Sequence, residues 1–195
     1  MSRATKPSAP TAEISYEEYM AMPESNRPVE VIDGVLFDTP TPTIPHQIVI
    51  KKLTRRLDDA CEAYGLVVQS PSDVFIRMRP KLRVHQPDLM VYLDDRCGFH
   101  AADDGARITA ERIPPSVAIE VLSPGQSERT LADKLRDYAS IGILEVWFAD
   151  RKTRSIRVLG LDGDGYRLVN EYSIGDRVIS AVLPGLDLPV ASIFG

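Results

Sequence analysis

The sequence predicts a mixed α/β or α+β domain in which a β-sheet is flanked by helices, and three observations carry that reading. Between residues 46 and 64, Val49, Leu53, Leu57, Ala60 and Tyr64 recur at spacings of three or four, with Lys51, Lys52, Arg55 and Arg56 in the gaps. That is the pattern of a long amphipathic helix. Val117 to Leu122 is an almost unbroken apolar run, as in a central strand covered on both faces. A second helical stretch, Ser127 to Ile141, separates it from another apolar run, Leu144 to Ala149, so strand, helix and strand follow in order.

The other elements fall around these. Met1 to Thr11 holds Pro7, Pro10 and small polar residues and reads as a disordered tail, leaving 12–195 as one domain. A short helix is expected from Ser15, with Glu17 and Glu18 in its first turn and Pro23 as its stop. Val29–Ile32 and Val35–Phe37 flank Asp33-Gly34, a strong hairpin signal, and Pro40, Pro42 and Pro45 mark the exit. Leu66–Val68, Val74–Met78 and Asp88–Leu93 read as strands, expected in one sheet with 117–122 and 144–149. Asp94 to Pro115 lacks periodicity over 22 residues, and a loop that long in a compact domain is usually functional or mobile. Ser155 to Phe194 reads as short strands with turns at Asp162-Gly163, Asp164-Gly165, Gly175 and Pro184-Gly185.

Composition narrows the function classes. With 195 residues, 44% hydrophobic and 26% charged, the chain has enough apolar material for a core and is not a disordered polymer. No apolar run approaches the roughly 18–20 residues that span a bilayer. The start lacks a secretory signal, so a cytoplasmic protein without membrane attachment is expected. Cys61 and Cys97 form neither a disulfide framework nor a zinc motif. Three scattered histidines, His46, His85 and His100, make no histidine-rich metal site. A net charge of -5 argues against an architectural DNA binder, yet leaves room for an acidic metal site within a locally basic groove.

Glu120 is the residue that does not fit a bland core. Alternation along Val117–Leu122 places it on one face with Ala118 and Leu122, while Val117, Ile119 and Val121 share the other. A carboxylate on a buried strand needs a cation, a lysine or arginine, or a set of donors. Asp88, after Pro87 and before Leu89-Met90-Val91-Tyr92-Leu93, has a similar setting. Two carboxylates on neighbouring strands suit a hard cation such as Mg²⁺. On the helix after Glu120, Leu131, Leu135 and Tyr138 form the expected buried stripe, and Lys134 lies about 60° off its centre. From there it can reach inward to balance charge or orient a water. Glu30, between Val29 and Val31, reads as a solvent-face residue. Ser123, Gln126 and Ser127 read as a helix cap rather than a phosphate site. His46 and His85 read as structural or surface groups.

These residues, in this order, resemble the Uma-two family of "putative restriction endonucleases" in the PD-(D/E)XK nuclease superfamily. The segments carrying the resemblance are VEVIDGVL (29–36), HQIVIKKLTRRL (46–57), HQPDLMVY (85–92), VAIEVLSPGQSERTLADKLRDYASIGILEVWFAD (117–150) and LPGLDLPV (183–190). The resemblance implies a restriction-endonuclease-like core with a mixed sheet flanked by helices, and additional N- and C-terminal β-hairpins. It makes Asp88 and Glu120 the paired acids, with Glu30 as a further acid that joins the metal cluster. Where the superfamily pattern expects lysine two residues after the second acid, this chain has Leu122; Lys134 matches the family's lysine on the next helix. The implied activity is hydrolysis of phosphodiester bonds in nucleic acid, DNA above RNA, with Mg²⁺ or Mn²⁺ as cofactor and a homodimer as the assembly. Two other readings stand beside it: a catalytically inactive binding or scaffold protein on the same fold, and a small-molecule or nucleotide-binding regulator using the 123–127 turn.

Overall fold

A six-stranded mixed sheet lies at the centre of the molecule, in a computed structural model that describes residues 13–23, 27–39, 41–93, 113–123 and 127–195. The expected tail 1–11, nearly all of the 94–115 loop with Cys97 and His100, and Gln126 lie outside the described residues. The chain enters through helix α1 (Tyr16–Met20), closed by a capping box between Ser15 and Glu18. Strands β1 (Val29–Ile32) and β2 (Val35–Asp38) pair as the predicted hairpin. Its turn residues, Asp33 at φ 51° and Gly34 at φ 84°, are both left-handed, as a two-residue primed turn requires.

Helix α2 (Ile44–Cys61) starts earlier than the sequence pattern suggests. Pro45 marks the first turn of the helix rather than the end of the loop, because a fixed φ and a missing N–H cost nothing there. Strand β3 (Gly65–Gln69) follows, then β4 (Val74–Arg77), β5 (Arg83–His85) and β6 (Leu89–Leu93). After β7 (Val117–Leu122) come helix α3 (Glu128–Ser140), β8 (Glu145–Asp150), β9 (Ser155–Asp162) and β10 (Gly165–Tyr172). A small ribbon of β11 (Arg177–Val178) and β12 (Leu188–Pro189) precedes the short helix α4 (Ala191–Phe194).

The central sheet has the order β10-β9-β8-β7-β6-β3. Only β7 and β8 run parallel, joined through α3, and the other pairs are antiparallel. The β9–β10 hairpin extends this sheet. One expectation fails: Val74–Met78 does not join it. That segment is β4, on the edge of a separate four-stranded sheet of order β2-β1-β5-β4, whose third member, Arg83–His85, the sequence did not reveal. An apolar run identifies a strand but not its partner, and these pairings join residues far apart in sequence.

Alternation divides the core. Val49, Leu53 and Leu57 of α2 pack with Leu89, Val91, Val117, Ile119 and Val121 on one face of the central sheet. Met90, Tyr92, Ala118, Val146 and Phe148 face the other way, against Tyr138 of α3 and Val31, Phe75 and Val84 of the smaller sheet. Glu120 belongs to this second face and looks towards α3. No described helix is long and apolar enough to cross a membrane.

Glu145 shows what a purely structural buried acid looks like here. Its carboxylate accepts hydrogen bonds from Trp147 Nε1 at 2.9 Å, Ser180 Oγ at 2.7 Å and the Ala181 amide at 2.8 Å, fastening the C-terminal segment to β8. With every donor internal, nothing is left for a ligand. Glu145→Ala is expected to cost about 3 kcal/mol, since it strands buried donors that lose a charged acceptor; urea unfolding followed by circular dichroism measures it.

Candidate active site

Asp88 and Glu120 meet at one end of the β6–β7 pair. The antiparallel register sets Leu89 opposite Ile119, which brings Asp88, one residue before β6, level with Glu120. Oδ2 of Asp88 accepts a 2.7 Å hydrogen bond from the Val121 amide and lies 3.3 Å from His46 Nε2. His46 Nε2 is also 3.0 Å from the Val121 carbonyl oxygen. Oε1 of Glu120 accepts from Lys134 Nζ at 2.8 Å and from the Tyr138 hydroxyl at 2.6 Å. Among the described residues, Oδ1 of Asp88 and Oε2 of Glu120 take no protein donor. Each acid therefore keeps one oxygen for something else.

Lys134 is the centre of the arrangement. Its side chain is only 8% exposed, and Nζ also lies 2.9 Å from Oε1 of Glu30. The buried face of α3 runs along Lys134 and Tyr138, one turn apart, with Leu131 and Leu135 on its shoulders. The stripe predicted from Leu131, Leu135 and Tyr138 is thus rotated towards the lysine, because two carboxylates offset the cost of burying the amine. Leu122, where the superfamily pattern has lysine, carries no amine, and Lys134 of the next helix places one beside Glu120 instead.

Glu30 faces inward rather than to solvent, correcting the reading made from its neighbours. His85 Nδ1 lies 3.3 Å from its Oε1, and His85 Nε2 is 2.7 Å from Oδ2 of Asp137. Arg83 Nε donates to the same Asp137 oxygen at 2.6 Å. The result is a chain of alternating charge, Arg83–Asp137–His85–Glu30–Lys134–Glu120, closed by Tyr138. His85, Asp137 and His46 were missed as site residues. His85 ends a three-residue strand, β5, too short for any periodicity to expose it, and Asp137 lies on a helix rich in charged residues, where one more acid does not stand out.

The proton affinities follow from these contacts. Burial works to raise the Glu30 pKa, but the His85 hydrogen bond and the charges of Lys134 and His85 outweigh it and hold the carboxyl at about 2. Burial opposes charge on His85, yet Asp137 and Glu30 win and raise its pKa. Lys134 is likewise pushed up: burial is overcome by Glu120 and Glu30. Glu120 is raised, by burial first, with Lys134 opposing and the Asp88 charge adding to the rise. Tyr138 stays a protonated donor, since burial and Glu120 both push it up.

Asp88 and Glu120 fit a small divalent cation, each with one open oxygen, as Mg²⁺ takes one or two carboxylates and completes its shell with water and phosphate. The described residues contain no ready-made group of three or more His, Cys, Asp or Glu side chains around a cation position. Glu30 is engaged by Lys134 and His85. Ser127 caps α3, accepting from the Thr130 amide at 3.1 Å, as expected of a cap.

A mixed sheet flanked by helices, with paired acids at the end of two central strands, defines a nuclease-like fold. The chain belongs to the Uma2 family, described as "Putative restriction endonuclease", whose family model matches residues 16–191. Among solved structures it is similar to a protein from Anabaena variabilis described as "a putative nuclease belonging to DUF820", with 16% identity and a TM-score of 0.69, over 93% of this chain and 97% of that one. No curated protein matches the sequence.

The electrostatics give a pH prediction. A carboxyl lowered from about 4.5 to about 2 contributes stability above the higher value and loses it as pH falls through the lower one. Wild type is therefore expected to exceed Glu30→Gln in stability at pH 6. The gap should close between about pH 4.5 and pH 2, as read by denaturant titrations at each pH.

Proposed function

We propose that this protein is an endonuclease that hydrolyses phosphodiester bonds in nucleic acid, DNA above RNA, with Mg²⁺ or Mn²⁺ as cofactor. The observation that carries the reading is the placing of Asp88 level with Glu120 beside the buried Lys134, with no donor from the described residues on one oxygen of each acid. Asp88 and Glu120 would hold the cation, which would supply Lewis acidity at the scissile phosphate.

Lys134 cannot be the general base, because its proton affinity is raised rather than lowered. Its amine carries three protons, and Glu30 and Glu120 take two. The third is free to hold the attacking water, and the fixed charge stabilises negative charge that develops at phosphorus. Glu30, anchored by His85 and Asp137, sets the position of that amine. Its two engaged contacts support this part rather than that of a third ligand.

The surface offers a route for the substrate backbone. Lys52 is committed to the C-terminus, donating to the carbonyls of Ile193 and Gly195, each at 3.1 Å. Lys51 and Arg55 instead line a polar groove of about 550 Å³ between α2 and the end of β3, with Asp58 and Asp59 at its far end. The groove excludes Asp88 and Glu120 but begins at Gln47, one residue from His46, so phosphates on α2 would run towards the acids. Cutting both strands of a duplex uses two sites, which favours a homodimer.

A non-catalytic binding protein would also keep the Lys134–Glu120 pair, for stability alone. A plasmid assay separates the two readings. Supercoiled DNA incubated with Mg²⁺ or Mn²⁺ is expected to be nicked, and chelation should stop it. Glu120→Gln and Asp88→Asn should each leave less than about one hundredth of the rate. Glu120→Gln keeps an oxygen for Lys134 and Tyr138, so its melting temperature in chelator should fall only slightly. Absence of cation-dependent cleavage by wild type, with DNA binding intact, would favour the binding protein.

A further inference from the structure

We infer that His46 is a positioning residue that turns the Asp88 carboxylate, so that only Oδ1 faces the cation, and thereby sets which cation the site accepts. The inference rests on the metal-dependent reading above and concerns the same site.

His46 sits in the first turn of α2, on the opposite side of the sheet from Lys134 and Tyr138, and is 5% exposed. Both groups around its Nε2 are acceptors: the Val121 carbonyl oxygen at 3.0 Å and Oδ2 of Asp88 at 3.3 Å. Nε2 must therefore carry the proton. The other ring nitrogen supports the same tautomer. Nδ1 is the one buried side-chain nitrogen or oxygen among the described residues that lacks a partner. A bare lone pair there costs less than a stranded N–H. The ring thus holds a fixed N–H, bonded to the Val121 carbonyl oxygen, beside Asp88.

Oδ2 of Asp88 accepts from the Val121 amide, and the His46 Nε2–H that bonds the Val121 carbonyl oxygen lies 3.3 Å from it. Neither N–H is mobile, since one is strand backbone and the other a buried ring. The carboxylate cannot rotate to offer both oxygens to one ion. Calcium favours bidentate carboxylates and six to eight oxygens, whereas small octahedral ions take one oxygen per carboxylate and keep their waters. The lock on Oδ2 selects the second kind. Removing the imidazole takes the N–H away from beside Oδ2, leaving the Val121 amide alone to hold the carboxylate against turning.

The test compares wild type, His46→Leu and His46→Gln as full-length proteins, titrated calorimetrically with Mn²⁺ and with Ca²⁺. Electron paramagnetic resonance of bound Mn²⁺ accompanies the titrations. Gln places an amide donor near the position of Nε2, and Leu places none. His46→Leu is expected to weaken Mn²⁺ binding about 10–100-fold and Ca²⁺ binding much less, so the preference for Mn²⁺ collapses. His46→Gln should retain that preference, and the wild-type spectrum should show no coupling from a ring nitrogen.

A merely structural histidine would lower both affinities together or neither. An unchanged Mn²⁺-to-Ca²⁺ ratio in His46→Leu overturns the inference, as does a Gln variant no better than Leu. A ring-nitrogen coupling to Mn²⁺ would make His46 a direct ligand and overturn it too. If His46→Leu fails to fold, the Gln variant and the wild-type spectrum still decide. Wild type that binds neither ion overturns the metal-dependent reading itself. Wild type that binds Mn²⁺ without dependence on His46 overturns only this one.

Discussion

An amine buried between two carboxylates is the constraint on which the site depends. Lys134 would be costly in the core without partners, and Glu30 and Glu120 would each be costly without Lys134. The three meet at 2.8 and 2.9 Å only because β1, β7 and α3 converge there. The smaller sheet is what brings β1 in. Its β5 strand then adds His85, which ties Glu30 to Asp137 on the same helix as Lys134. The ion pairs therefore set the rotation of α3 about its own axis as well as the chemistry of the site.

Glu120 and Glu145 differ in how their buried carboxylates are partnered. Both lie on central strands and are almost fully buried. Glu145 has its donors from its own strand and from the segment it fastens. Glu120 has two donors on one oxygen, none from the described residues on the other, and the Asp88 charge near it. Burial and the Asp88 charge make its ionised form expensive. On the proposed reading, a cation between the acids would relieve that expense.

How far the sequence revealed this depended on the length of each element. Six residues of alternation were enough to place Glu120 on a buried face. A strong turn dipeptide was enough to place the first hairpin. Thirteen helical residues located Lys134 at the edge of the inward stripe, within reach of the acids, but centred that stripe on the leucines rather than on the lysine. Glu30 looked like a solvent residue because its inward partners come from β5 and α3, far along the chain. Val74–Met78 was assigned to the wrong sheet for a related reason: strand pairing across long separations leaves no local mark. His46 looked unremarkable within an amphipathic helix, since nothing nearby in sequence shows that the first turn ends against Asp88.

The central claim is that Asp88 and Glu120 share a cation while Lys134 stands beside it. Crystals grown with Mn²⁺, with data collected to locate the anomalous scattering of the metal, test this most directly. The account predicts one peak within about 2.2 Å of Oδ1 of Asp88 and Oε2 of Glu120, with Lys134 still bridging Glu30 and Glu120. A well-occupied Mn²⁺ bound elsewhere, with both carboxylates unchanged, would contradict it.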